Sequence, residues 1–377
     1  DMNLRDYLEK TKQIQEKLLD YLEDMEENKT LINIFEDNQF HDKYELISLL
    51  YFVSKISNNH HRDDNFSNKI EEILLFFKED IKTKIANSEL FHIFQSNLKN
   101  LLFLYQEGML TFDDQIVKKI VQGKYADSYY PEYFLPELRS FITEEWLKKN
   151  NLYYLTDRLS KEIPDNFIEK RKKGENDHFI CELIRKDSID DFIRYVNQNQ
   201  YKLNSNIEPS IYETNKVLIK NKYELTLIEY AVFFGSIQIF NYLRLNKVNL
   251  KPSLWLYAIH SKNADIIHLL EENNIKPNDE SYKDCLFESI KCHHNDIANY
   301  IFNQYLLDEK DISKDILANI LKYNNLHFGQ NDLIDKSSFF YLCQYDYYIL
   351  ARILSKEKDI DINIKIIYTK SFNSILM

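Results

Sequence analysis

Residues 226–270 constrain the fold most, because they contain two copies of one pattern. Each copy places a small residue, Ala231 or Ala258, within an apolar run, and a second apolar run follows a polar turn. Ala231 and Ala258 are 27 positions apart, and Leu243 and Leu270 are separated by the same 27 positions. A fixed period of this kind is the signature of a repeat architecture.

Each copy is typical of a short helix, a tight turn and a second short helix. Thr226 and Ser253 are suitable N-caps, because a hydroxyl can accept a hydrogen bond from an amide of the first helical turn. Gly235 suits the turn, because glycine adopts positive φ without a Cβ clash. The second helix carries apolar residues at i, i+3 and i+4, a face that one helix pair cannot bury alone. Stacked neighbours can bury it, so the pattern predicts a solenoid.

Three weaker copies extend the pattern. One covers residues 284–301, with Ser289 in place of the alanine, another surrounds residues 342–354, and an upstream copy surrounds residues 184–196. The residues in the second-helix places are Phe192, Tyr195 and Val196, then Ile239, Tyr242 and Leu243, then Ile266, Leu269 and Leu270, then Ile297, Tyr300 and Ile301.

These residues resemble the ankyrin repeat, whose pattern is Thr-Pro-Leu-His-x-Ala, then Gly-His, then an apolar helix. The matching residues are Thr226, Ile228, Ala231, Gly235, Ile239 and Leu243, and His294 stands at the Gly-His histidine of the third copy. The proline is absent, and the period is shorter than the usual ~33 residues. The chain, best over residues 176–377, is similar to divergent ankyrin proteins with a domain of unknown function that are expanded in some parasitic protists. The resemblance implies a repeat scaffold and carries no known activity.

The composition supports an all-α fold and excludes some partners. Only 5 Gly and 6 Pro occur in 377 residues, so turn and hairpin signals are scarce. The net charge of −12 disfavours broad binding to nucleic acid or acidic lipid. No signal sequence and no membrane span is expected, and the four cysteines lack a disulfide spacing. We therefore expect a cytoplasmic protein, or alternatively one of the cytoskeleton or flagellar axoneme.

The predicted domain boundary lies in the polar run near residues 170–177. Residues 1–173 are expected to form an irregular α-helical amino-terminal domain, with degenerate repeats as one interpretation, and residues 174–377 the divergent ankyrin-repeat domain. Residues 4–27 predict one long helix, either packed on the domain or oligomerising. Pro131 and Pro136 exclude a regular helix between them. Residues 198–222 lack periodicity and predict a long connection, and residues 308–338 a similar insertion.

The sequence contains no motif that is typical of catalysis or of metal binding. It has no phosphate-binding glycine loop and no nucleophile elbow. One cluster, Cys285, Cys292, His293 and His294, lacks the ligand spacing of a zinc site and predicts buried thiols with a capping histidine. A second stretch, from His60 to Asp64, is interpreted as a polar loop. We expect no catalytic residue, no cofactor and no metal.

Two surface features are candidates for recognition. The basic run of Lys170, Arg171, Lys172 and Lys173 has two interpretations, a solvated linker and a nuclear-import signal. One place in successive copies, just before the small residue of the first helix, holds Tyr230, Tyr257, Glu288 and Tyr341. In ankyrin-like stacks that place tends to face the concave side, so this column predicts either a partner-binding strip or the edge of the core.

The predicted fold class is all-α, an ankyrin-like solenoid preceded by the irregular helical region. The predicted function is a non-enzymatic scaffold that binds other proteins. The alternative is a structural component of a large cytoskeletal or axonemal (microtubule-associated) assembly, and an enzyme with an unrecognised site is a third class.

Overall fold

The computed structural model describes residues 3–23, 31–35, 42–60, 65–122, 130–160, 162–220, 224–278, 280–309, 312–329, 334 and 338–356. These residues are mainly helical, as predicted, and apart from one isolated bridge between Asn206 and Thr226 they contain no β-structure. None of their helices is both long and apolar enough to cross a bilayer.

The chain folds into two compact units, and the first is discontinuous in sequence. It combines residues 1–85 with residues 279–377, and the second comprises residues 86–278. The predicted boundary at residues 173 and 174 therefore lies within the second unit. The amino-terminal helices of the first unit are α1 (Leu4–Glu23), α2 (Leu31–Phe35), α3 (Lys43–Asn59), α4 (Phe66–Phe76) and α5 (Lys78–Lys84).

The second unit begins with short helices and ends with three helix pairs. The short helices are α6 (Asn87–Phe94), α7 (Leu98–Gln106), α8 (Asp114–Gln122), α9 (Tyr130–Tyr133), α10 (Leu135–Leu138), α11 (Glu144–Lys149), a 3-10 turn (Tyr153–Leu155), α12 (Thr156–Leu159), α13 (Phe167–Lys173) and, later, α16 (Lys216–Lys220). Pro131 and Pro136 each lie in the first turn of a one-turn helix, where proline is tolerated. The pairs are α14 (Phe179–Arg185) with α15 (Ile189–Gln198), α17 (Leu227–Phe233) with α18 (Ile237–Leu245), and α19 (Leu254–Ser261) with α20 (Ala264–Glu272).

The turn inside each pair of the second unit has the same backbone geometry. Asp187, Gly235 and Lys262 occupy equivalent places and all adopt positive φ, at 46°, 71° and 54°. In the first two pairs the backbone amide of the next residue donates to a carbonyl of the preceding helix, from Ser188 to Leu183 and from Ser236 to Ala231. This bond caps a carbonyl that the helix leaves unpaired.

Hydrogen bonds join each pair of the second unit to the next. The Ser236 hydroxyl donates to the Ile184 carbonyl at 2.5 Å, and Asn263 Nδ2 donates to the Gly235 carbonyl at 3.3 Å. The Asp187 carboxylate accepts from the amides of Gln238 and Ile239, both at 3.0 Å, and so caps α18 of the following pair. Neighbouring pairs are thus held in a fixed register by their turns.

The two predicted N-caps behave differently. Thr226 forms a complete capping box with Glu229, as a threonine followed three residues later by glutamate favours. Ser253 precedes α19 but makes no capping bond, so that prediction is wrong. Its hydroxyl donates instead to Glu229 Oε1 at 2.7 Å, because the capping glutamate of the preceding pair lies within reach.

The carboxy-terminal helices of the first unit repeat this construction. They are α21 (Lys283–Cys292) with α22 (Asn295–Tyr305), then α23 (Ile312–Tyr323), then α24 (Phe339–Gln344) with α25 (Tyr348–Ser355). The turn residues His293 and Asp346 have φ of 59° and 62°, and Asn325 Nδ2 donates to the Ile290 carbonyl at 2.8 Å.

Helix α1 packs within the first unit. Its Leu8, Ile14, Leu18 and Leu22 are buried, which favours the packed alternative over an exposed oligomerising seam. Gln15 Nε2 donates to the Asn324 carbonyl at 3.0 Å, and the His327 amide donates back to Gln15 Oε1 at 3.2 Å. Asn324 Nδ2 also donates to the Ser48 carbonyl of α3. The amino-terminal helices therefore complete the hydrogen bonding of the carboxy-terminal ones.

Candidate interaction surface

The four residues of the predicted recognition column differ in exposure. Tyr230 is 0 % and Tyr257 is 4 % exposed, whereas Glu288 and Tyr341 are half-buried. Glu288 pairs with Lys291 at 2.6 Å. Because a recognition residue must be accessible, Tyr230 and Tyr257 cannot contact a partner in this structure. A role of Glu288 and Tyr341 in binding stays a prediction.

The buried hydroxyl of Tyr230 belongs to a polar network. Arg185 Nη1 donates to Tyr230 Oη at 2.7 Å and to the Asn176 carbonyl at 2.9 Å. Arg185 Nε also pairs with Glu175 Oε2 at 2.9 Å. Burial raises the pKa of Tyr230 well above 10, so the phenol stays neutral. The network is a structural interaction rather than an exposed binding feature.

The non-periodic connection supplies the cover over Tyr230. A cleft of about 460 Å³, open solvent included, is lined by Tyr230 together with Leu98, Ile207, Pro209, Leu218 and Leu225. At its polar edge, both oxygens of Glu213 accept backbone hydrogen bonds, from Asn176 at 3.2 Å and from Asn215 at 2.8 Å. Each oxygen of this carboxylate therefore helps to fix the backbone of the connection.

Exposed polar side chains recur at one place on the second helices of the pairs. Asp191, Gln238 and Asp265 are exposed at equivalent places, each one residue before a fully buried apolar residue. We call these three residues the outer row. One turn further along, Arg194 and His268 are also exposed. The outer row was not among the predicted site residues, although the period that locates Ile239 and Ile266 also locates the polar residue before each.

The basic run beside the predicted boundary is integrated into the fold. Arg171 is 1 % exposed and makes a bidentate pair with Glu137, at 2.7 and 2.8 Å. Its guanidinium lies over the rings of Tyr133 and Phe167. Lys170 pairs with Asp177 at 2.7 Å. The run is not a solvated linker, since it lies in α13 and its arginine is buried, and a role as a nuclear-import signal stays a prediction.

The histidine and cysteine cluster of the first unit is buried. His60 Nδ1 lies 2.8 Å from the Cys292 carbonyl and its Nε2 3.1 Å from Glu23, so His60 is not in a polar loop. The rest of that predicted loop, residues 61–64, lies outside the described residues. The ring of His60 also contacts that of His294, at 4.8 Å between centroids. Burial lowers the pKa of His293 to about 3 and raises that of Cys292 well above 9.

Comparison of the chain with protein-family models, with curated proteins and with solved structures found no match in any of the three.

Proposed function

We propose that the chain is a non-enzymatic protein–protein interaction scaffold, built as an ankyrin-like stack of helix pairs. The observation that carries this proposal is the recurring junction between pairs of the second unit. At each junction a positive-φ residue is followed by a side chain, Ser236 or Asn263, that donates a hydrogen bond to a backbone carbonyl of the preceding pair. A register maintained this way presents side chains in rows along a continuous surface, which is what repeat scaffolds use for binding.

The outer row is the surface that this proposal assigns to a partner. Its side chains and their exposed neighbours are mainly polar and charged, with both signs represented by Asp191, Arg194 and Asp265. Mixed charges of this kind favour selective binding to a complementary protein surface over general attraction to a polyanion.

The titratable groups support a non-enzymatic role. Catalytic acids, bases and nucleophiles are tuned towards neutral pH. Here burial moves the pKa of Cys181 to about 12, of Cys343 to about 11 and of His293 to about 3. All three groups are therefore held in the uncharged form near pH 7, where a thiol is a poor nucleophile.

The test is capture of partners with the full chain as bait, from cells that express it, by pull-down and proximity labelling. We expect a set of proteins that free chain competes away and that a double variant, Asp191→Lys with Asp265→Lys, no longer retains. The matched control is Glu144→Lys with Glu145→Lys, because these acids are also exposed in a first helical turn and the charge change is identical.

Equal capture by both double variants would refute the outer row as the contact surface. Sedimentation with polymerised tubulin or actin provides the second readout. Tight co-pelleting of the isolated chain would support the structural-component alternative, and turnover of a substrate by the purified chain would overturn the non-enzymatic proposal.

A further inference from the structure

The first helix pair of the second unit exposes a residue that the later pairs bury. Phe179, Leu227 and Leu254 each begin the first helix of their pair, eight residues before the positive-φ turn residue. Leu227 and Leu254 are 0 % exposed, whereas Phe179 is 53 % exposed. A large apolar side chain at a core position of the repeat is therefore open to solvent at α14.

A second aromatic residue shows which way this face points. Tyr195 and Tyr242 occupy the same place, five residues before the positive-φ residues Gln200 and Lys247 that follow their helices. In the second pair, the Tyr242 ring packs edge-on against Phe192 of the first pair, with centroids 6.1 Å apart. This place thus faces the preceding pair, and Tyr195 marks the face on which a pair before α14 and α15 would lie.

The aromatic side chains of this face contact one another. The rings of Phe179 and Tyr195 are 5.3 Å apart, and those of Tyr195 and Tyr201 are 6.4 Å apart. We call these three residues the open aromatic face. Phe179 is exposed and the two tyrosines are half-buried, and a partly exposed cluster of large aromatic rings is the kind of surface that marks a binding site.

We propose that the open aromatic face binds an amphipathic helix of another protein, seated as α15 is seated against α18. This inference rests on the stacked-pair scaffold proposed above but names a surface distinct from the outer row. The occupant presents a large apolar residue to Tyr195, as Phe192 does to Tyr242, because the geometry continues an interface already formed within the chain. Recognition is thus of the helix-in-groove kind, with anchors at i, i+3 and i+4.

Charged residues near the open aromatic face indicate which charges the bound helix carries. Lys173 and Lys186 are exposed, and both lower the pKa of Glu182, one turn along α14 from Phe179. The adjacent Lys172 is also exposed. Carboxylates lie there too, since Lys186 donates to Glu182 at 2.7 Å, and burial together with the nearby Glu208 raises the pKa of Tyr201. The occupant therefore carries residues of both charges beside its apolar stripe, as α15 itself does with Asp190, Asp191 and Arg194.

The probe is a helix-stabilised, fluorescein-labelled peptide of residues 188–200, titrated with the full chain and followed by anisotropy. We expect saturable binding that Phe179→Asp weakens at least about tenfold, as loss of a central aromatic contact does. The matched control is Leu245→Asp, since Leu245 is a 73 % exposed apolar residue on α18 outside this face, and its variant should bind like wild type. A peptide with Phe192→Ala should bind at least about tenfold more weakly.

Folding of each variant is checked by circular dichroism, and Tyr195→Ala is the second variant should Phe179→Asp fail to fold. No binding of the peptide to wild type, or equal binding to Phe179→Asp, would overturn the proposal. A concentration-dependent dimer in sedimentation, lost in Phe179→Asp, would assign the face to a second copy instead and also overturn it. If the peptide fails while the outer-row variants still lose their captured proteins, this inference fails and the scaffold function stands.

Discussion

Tyr230 joins the first two helix pairs of the second unit through its hydroxyl rather than its ring alone. The Arg185 guanidinium that donates to it belongs to α14, whereas Tyr230 belongs to α17. A hydrogen bond to a buried charged group contributes more to stability than a neutral one. The side chain predicted to meet a partner therefore stabilises the contact between pairs.

Replacing Tyr230 by phenylalanine should lower the free energy of unfolding by about 1–2 kcal/mol, because Arg185 loses one of its buried acceptors. The matched control is Tyr242→Phe, at a half-buried ring, where we expect a change within about 0.5 kcal/mol. Denaturant unfolding of both variants measures the difference. A loss no larger for Tyr230→Phe than for the control would show that the hydroxyl contributes nothing.

Ala231 and Ala258 are packing positions, as their place in the pattern predicts. Both are 0 % exposed, and α17 and α19, which carry them, pack on each other. Replacing Ala231 by leucine should overpack this contact and cost about 1–3 kcal/mol. Ala264→Leu, on the exposed first turn of α20, should leave the unfolding midpoint nearly unchanged. Destabilisation of both to the same degree would contradict the packing role.

At the scale of elements, the recurring device is a helix end with a positive-φ residue. Gly235 adopts this conformation without a side chain, and Lys262 adopts it despite one. A Cβ at Gly235 would meet no atom closer than 3.6 Å, so backbone conformation rather than space decides the effect of a substitution there.

Gly235→Ala should therefore destabilise the chain by about 1 kcal/mol, since the left-handed conformation disfavours a Cβ. Lys262→Gly should instead stabilise the chain by up to about 1 kcal/mol, because glycine adopts this conformation without strain. The greater entropy of glycine in the unfolded chain reduces that gain. Thermal or urea unfolding of the two variants provides the comparison. The same sign for both would mean that something other than the turn conformation dominates.

A helix-end pattern also extends beyond the predicted repeats. An asparagine donates its side-chain amide to the carbonyl four residues earlier at Asn199, Asn246 and Asn273, and a positive-φ residue follows each. Asn150 does the same at the end of α11, followed by Asn151 at φ 59°. This short signal is present in the sequence but does not follow the apolar period from which the repeats were predicted.

Prediction from sequence was accurate where structure depends on local periodicity. The helix pairs of residues 226–270 and the Thr226 cap follow from spacing within one or two turns. The burial of Tyr230 does not, because the segment that covers it, near Ile207 and Pro209, has no period of its own. Which helices share a unit was equally unreadable, since the contacts of Gln15 with Asn324 span 309 residues.

At the scale of the whole molecule, the first unit contains three buried histidines close together at its helix ends. His60, His293 and His294 are each 4 % exposed or less. Burial and the neighbouring His60 hold the pKa of His293 near 3, below the 6.5 of an exposed histidine. The unfolded chain therefore takes up the His293 proton first as pH falls, and the stability is lost between pH 6.5 and about 3.

Between pH 7.5 and pH 5.0 this histidine should remove about 2 kcal/mol from the stability of the first unit, at 1.36 kcal/mol per pH unit below 6.5. Hydrogen exchange of peptides from α21 and α23, corrected for intrinsic rates, measures the loss. His293→Gln should lack this part of the pH dependence, whatever its stability at pH 7.5. An unchanged pH dependence in the variant would show that another group titrates.

The discontinuity of the first unit has a consequence for synthesis on the ribosome. Helices α1–α5 leave the exit tunnel before their partners exist, because residues 86–278 are translated in between. At the usual 5–20 residues per second, that interval lasts roughly 10–40 s. During this time the apolar faces of α1 and α3 that pack on helices α21–α25 stay uncovered, so we expect chaperones to bind these nascent helices, while the second unit has all of its residues and can fold.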